Sequence, residues 1–197
     1  MALVSLLAAS VILVVQTATA VAAPTRFGAA LDNMSQPANA ESGRLCSDEI
    51  PPADTCTWVS TEAYHNGGHQ AAPRTGIIGT LKLVSCIGGS FIVQIATPAS
   101  GHRARVLRNG PTINYKGDPK QVCGGADGNA YIVQSFAVTF NITRGDLIGI
   151  YASRVGPLYC AGGNGVDLYN PPLGASSAYR TRTKSTSCNL MIQLTYK

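Results

Sequence analysis

Ser135-Phe136-Ala137-Val138-Thr139-Phe140-Asn141-Ile142-Thr143, followed by Arg144-Gly145-Asp146 and then Leu147-Ile148-Gly149-Ile150-Tyr151-Ala152, is the stretch from which the fold is read. In its first nine residues Phe136, Val138, Phe140 and Ile142 alternate with Ser135, Ala137, Thr139, Asn141 and Thr143. Successive side chains of a strand point to opposite faces, so strict alternation describes a strand with one face buried and one solvated. Arg144-Gly145-Asp146 then makes a tight turn into a second, apolar strand over 147–152.

Working outward, the alternation returns over 90–97, with Phe91, Val93 and Ile95 on one side, and at the C-terminus with Leu190, Ile192, Leu194 and Tyr196. Weaker strand patterns cover 77–84, 102–108, 112–116, 130–133, 165–169 and 178–184. Beyond the N-terminal apolar segment, no helical periodicity lasts more than a turn or two. With 21 Gly, 11 Pro and only 13% charged residues, the composition is that of a loop-rich β protein. The expectation is one all-β domain over 46–197, an antiparallel β-sandwich of about eight to ten strands with a jelly roll as candidate topology.

Residues 1–23 are uncharged, run apolar through Leu13-Val14-Val15 and end in small residues around Ala18-Thr19-Ala20, the pattern of an export signal. Two features keep an uncleaved membrane anchor open as the alternative. No Lys or Arg lies near Met1, and the apolar stretch approaches the roughly 20 residues that span a bilayer. Residues 24–45 lack periodicity and read as a flexible leader. The chain is therefore expected outside the cytoplasm, secreted or on the cell surface.

All six cysteines, Cys46, Cys56, Cys86, Cys123, Cys160 and Cys188, lie beyond this segment. An even number in an exported chain argues for disulfides, and the absence of any C-x-x-C pair argues against a zinc ribbon or thioredoxin-type site. Sequential pairing is expected: Cys46–Cys56, Cys86–Cys123, Cys160–Cys188. No metal or cofactor is expected.

The net charge of +5 is uneven. Residues 26–62 hold two basic groups against six acidic ones, whereas 74–120 hold seven against Asp118 alone. A basic body behind an acidic leader suits an anionic polymer or surface; ordinary solubilising charge is the alternative.

Three segments carry a family resemblance. Ala72-Pro73-Arg74-Thr75-Gly76-Ile77-Ile78 is similar to a Pro–Gly–Val/Ile lead-in to a strand, Arg103-Ala104-Arg105-Val106-Leu107-Arg108 to an R-V-L-R strand, and Phe136 through Ile150 to an alternating strand, a Gly-Asp turn and an apolar strand. Together they resemble a group of uncharacterised exported β-sandwich domains of high-GC Gram-positive bacteria. The resemblance covers about residues 56–197, with Leu81 standing where the group often carries an aromatic residue. It implies a fold and a location, and no reaction.

For chemistry, His65 and His69 have the spacing of a helical zinc pair, but Asn66-Gly67-Gly68 between them reads as a turn with two exposed histidines. There is no Gly-x-Ser-x-Gly elbow, and paired cysteines leave no thiol nucleophile. Asp118, Asp127 and Asp146 sit beside Gly or Pro and read as turn-capping residues. Arg144-Gly145-Asp146 also matches the integrin-binding tripeptide, with the turn as the preferred reading. Arg180, Arg182 and Lys184 alternate with Thr181 and Thr183 and would line one face of a strand, as Arg103 and Arg105 would on another. Such stripes hold anionic groups or protect a sheet edge. Tyr159, Asp167, Tyr169 and Asn170, with Tyr64 near the domain start, are the candidate aromatic and polar contacts to a glycan. Trp58, the only Trp, is expected to pack against a disulfide. The sequons at Asn33 and Asn141 matter only in a eukaryotic secretory pathway.

The expected function is a non-catalytic binding module for a glycan or other envelope polymer, with no role in nucleic-acid binding. The alternatives are a structural protein contacting other envelope proteins and a hydrolase whose site assembles from distant residues.

Overall fold

The structure is a computed structural model that describes residues 25–31, 43–62, 70–117, 133–160, 165–175 and 178–197. In chain order the elements are β1 (Arg26–Gly28), β2 (Arg44–Leu45), the one-turn helix α1 (Cys46–Glu49), β3 (Cys56–Ser60), β4 (Gly76–Leu83), β5 (Gly89–Ala99), β6 (Arg103–Tyr115), β7 (Gln134–Ile142) and β8 (Leu147–Ala152). They continue with β9 (Arg154–Val155), β10 (Leu158–Cys160), β11 (Val166–Tyr169), β12 (Arg180–Thr181), β13 (Lys184–Thr186), β14 (Cys188–Leu190) and β15 (Ile192–Tyr196). The fold is all-β and its strand pairs are antiparallel.

Two sheets make the body: a four-stranded one in the order β1-β15-β4-β7, and a seven-stranded one in the order β12-β6-β5-β8-β3-β11-β13. The alternation that opened the sequence reading is realised in β7, where Val138, Phe140 and Ile142 are buried between exposed neighbours. β8 is apolar throughout because it is central in the larger sheet and covered on both faces. Arg144-Gly145-Asp146 is the corner that carries the chain from one sheet to the other. The Asp146 N–H donates to the Thr143 carbonyl at 3.0 Å, and Gly145 sits at φ +90, where a Cβ is disfavoured.

Trp58, Val93, Ile95, Ile150 and Leu168 of the larger sheet pack on Ile78, Leu81, Leu83, Phe140, Ile142 and Leu194 of the smaller one, giving a sandwich-like core. Trp58 is fully buried in the cluster that also contains Cys46 and Cys56. Disulfides join Cys46 to Cys56 and Cys160 to Cys188, the latter directly opposite each other on β10 and β14. Cys86 is also disulfide-bonded; Cys123, its expected partner, lies outside the described residues.

The larger sheet is not flat, and its topology says why. β12 and β13 are its opposite edges, yet only Arg182 and Thr183 separate them in the chain. Seven strands side by side would span about 29 Å, at roughly 4.8 Å per strand, whereas three residue steps reach at most about 11 Å. The sheet therefore curls until its edges almost meet. At the seam the Arg182 N–H donates to the His102 carbonyl at 3.0 Å and the Thr183 N–H to the Leu168 carbonyl at 2.7 Å, one bond to each side. The enclosed face carries Val59, Ala96, Ala104, Val106, Leu147 and Tyr169, with Leu173 packed into it.

Several expectations change. Residues 178–184 are not one strand: β12 pairs with β6 and β13 with β11, so Arg180, Arg182 and Lys184 line no common face. Residues 102–108 and 112–116 belong to the single strand β6, because Gly110 and Pro111 fall where the pairing with β5 shifts register, a place where the missing Pro N–H is tolerated. The C-terminal stretch is divided at Met191 into β14 and β15, while Leu190, Ile192, Leu194 and Tyr196 all lie in the main core cluster, as their alternation implies. The stretch read as a flexible leader contributes β1, which pairs with β15, and β2, which pairs with β9. The export segment 1–23, residues 130–132 of the strand expected over 130–133, Asn33, Tyr64, His65 and His69 lie outside the described residues.

Candidate functional site

Closure of the sheet brings together residues that are far apart in the chain. Asp167 on β11 is 2% exposed, and its register partners are Ser185 on β13 and Val59 on β3. A buried carboxylate is costly unless it is paired and hydrogen-bonded. Here the Ser185 hydroxyl donates to Asp167 Oδ1, and Arg182 Nη1 donates to the same oxygen at 2.9 Å and to Ser185 Oγ at 2.6 Å. His102, from the turn between β5 and β6, brings Nδ1 to 3.4 Å from Asp167 Oδ2 and 3.0 Å from Arg182 Nη1. A guanidinium only donates, so the shorter contact makes Nδ1 the acceptor and assigns the ring proton to Nε2.

His102 has φ +54, uncommon for a residue with a Cβ. Its carbonyl is held by the Arg182 N–H and, at 3.3 Å, by the Tyr169 hydroxyl. Burial, and then the neighbouring Asp167 charge, push the Tyr169 hydroxyl well above the usual phenol pKa, so it stays a donor. A locally strained backbone held by several hydrogen bonds is characteristic of functional sites.

Beside this cluster, inside the curl, lies a cavity of about 480 Å³. Val59, Ala104 and Leu147 supply an apolar wall; Glu62, His102, Arg103 and Asp167 supply polar groups. Farther along the enclosed face, Leu173 fills the curl through polar contacts: its N–H donates to Thr57 Oγ1 at 2.9 Å, and Gln94 Nε2 donates to its carbonyl at 3.0 Å. Thr57 Oγ1 in turn donates to Gln94 Oε1 at 2.9 Å.

No family model, curated protein or solved structure matches the chain.

Of the residues singled out in the sequence, the structure joins Asp167, Tyr169 and Arg182. Tyr169 is 2% exposed, so its ring is a core side chain rather than an open stacking platform. Asn170 uses its backbone to pair with Thr183 Oγ1, and Arg180 Nη1 donates to the Pro171 carbonyl at 2.6 Å. Lys184 pairs with Glu49 at 2.7 Å, and Tyr159 packs with Ala29, Leu31, Val84 and Met191, a cluster separate from the enclosed face. Asp146 is buried, accepting from Thr97 Oγ1 and the Thr143 N–H, so the Arg-Gly-Asp carboxylate is committed to its corner. Sequence reasoning missed His102 and Glu62. No local pattern marks either, because each belongs to the site only through the curl. Among the described residues, no group of three or more His, Cys, Asp or Glu could hold a metal ion.

Proposed function

We propose that the protein is an extracytoplasmic, non-catalytic binding module that takes part of a glycan into the cavity of its curled sheet. The observation that carries this reading is the cavity itself, whose volume falls within the roughly 300–1,000 Å³ of ordinary ligand sites and whose apolar wall faces a few fixed polar groups. A sugar presents the same mixture, with C–H faces for Val59 and Leu147 and hydroxyls for Asp167 and the His102 N–H. Asp167 is engaged by Arg182 and Ser185, which suits a fixed acceptor better than a group that exchanges protons. The disulfides fit an oxidising compartment, and no helix of the described residues is long and apolar enough to cross a membrane.

Calorimetric titration with a panel of neutral and acidic oligosaccharides tests the reading. Binding is expected and should be lost in Ala99→Trp, which places a large ring at the cavity wall, while the melting temperature stays within a few degrees of wild type. No heat with any sugar, or full binding by Ala99→Trp, would sink it. A hydrolase is the second reading, favoured by the presence of two carboxylates, Glu62 and Asp167, on one cavity. Release of reducing ends from the same panel, abolished by Glu62→Gln, would establish that reading instead.

A further inference from the structure

Arg103 lines the cavity and also belongs to a second cluster outside it. β6 places Arg103 and Arg105 on the same side of the strand, and both guanidiniums lie over the Tyr179 ring, at 5.8 and 4.8 Å from its centroid. The partner residue of Arg103 across the β12–β6 pair is Thr181, so Tyr179, two positions earlier, falls on this same face. Arg103 is exposed and Tyr179 remains 36% exposed, so the cluster is reachable from solvent next to the cavity mouth. Of the two carboxylates on the cavity, Asp167 is matched by Arg182, while Glu62 is exposed to water, which screens its charge.

Resting on the cavity reading above, we propose that the ligand is an acidic glycan chain: one sugar occupies the cavity, and the next lays its carboxylate or sulfate on Arg103 with the Arg105–Tyr179 pair beyond. Guanidinium groups bind such anions through paired N–H donors, and an aromatic ring beside them offers the apolar contact that a sugar face needs.

The experiment uses oligosaccharides matched in length: an oligogalacturonate, its carboxyl-reduced neutral counterpart and a sulfated neutral chain. A single-stranded oligodeoxynucleotide of equal charge serves as the polyanion control. The acidic sugars should bind at least about tenfold more tightly than the neutral one, and the preference should shrink as salt is raised. Arg103→Gln should remove most of that preference, weakening acidic-sugar binding several-fold more than neutral-sugar binding. The uronate and sulfate arms show which anion the lip prefers. Equal affinity for neutral and acidic sugars overturns the proposal and leaves the cavity reading standing, as does an equal loss of both in Arg103→Gln. Binding of the oligodeoxynucleotide as tight as that of the sugars also overturns it. Acidic binding that survives Ala99→Trp but not Arg103→Gln keeps the anion preference and removes the cavity. No binding by any probe removes both.

Discussion

Asp167 shows most directly how a single residue is made tolerable in this fold. Its carboxylate is buried on an otherwise apolar wall, and its stability rests on two donors of unequal cost. Ser185→Ala removes a hydrogen bond to a charged acceptor and is expected to cost about 1–3 kcal/mol. Arg182→Ala removes the countercharge as well and should cost more, about 2–4 kcal/mol, short of the fully buried case because Arg182 is partly exposed. Tyr169→Phe, losing only the 3.3 Å bond to His102, should stay under about 1 kcal/mol. Urea unfolding followed by the fluorescence of Trp58, the sole Trp, gives all three values, and a different ranking would remove Arg182 as the chief partner. Asp167 and Arg182 were both recognisable in the sequence as polar groups suited to a site. Their pairing was not, because it depends on the register of β11 with β13 and on the bend at the seam.

At the scale of elements, α1 is the least self-sufficient. One helical turn has no stability of its own, and three contacts fix it. They are the Cys46–Cys56 disulfide, Arg44 on Glu49, and Lys184 of β13, whose Nζ reaches both Glu49 Oε2 at 2.7 Å and the Glu49 carbonyl at 3.0 Å. Burial alone would push the Glu49 carboxyl up, but the hydrogen bonds and charges from Lys184 and Arg44 outweigh it and hold the pKa below the usual value of 4.5. A depressed folded-state pKa means that the stabilisation is complete above the unfolded value and is lost as pH falls through the folded one. Glu49→Gln should therefore be less stable than wild type by about 1–2 kcal/mol at pH 7. That gap should close on acidification from about pH 5 downward. Unfolding titrations at pH 7, 5 and 3.5 check this, and a gap that widens in acid would reverse the assignment. The long strands were legible because alternation needs only one partner sheet. β9 and β12 were not, since two residues carry no period, and β6 was read as two pieces because a bulge absorbs Gly110 and Pro111.

The whole molecule is a two-layer body in which one layer has been rolled. The all-β class follows from patterns that local sequence contains; the cysteine connectivity does not, although Cys46–Cys56 and Cys160–Cys188 pair sequentially as expected. The curl follows from strand order, which local sequence does not contain. Cross-links closing loops of 10 and 28 residues each contribute about 3 kcal/mol in the chain-entropy picture, and Cys46–Cys56 holds α1 to β3 while Cys160–Cys188 holds β10 to β14. Neither lies at the seam. There the edges are held by the brevity of the Arg182-Thr183 link, by one backbone bond to each side and by the Asp167–Arg182–His102 contacts. Lengthening that link separates the role of the roll from that of the core. Inserting Gly-Ser between Arg182 and Thr183 extends the reach from about 11 to about 18 Å, enough for the edges to part without disturbing the Trp58 side of the larger sheet. The expected result is faster amide exchange in β12 and at Arg182, a melting temperature lowered by only a few degrees, and oligosaccharide affinity reduced at least about tenfold, because the wall bearing His102 and Arg103 no longer faces the one bearing Asp167. Unchanged affinity in that variant would mean that the cavity does not need the closed sheet, and the site would then have to be sought on the outer face of β6.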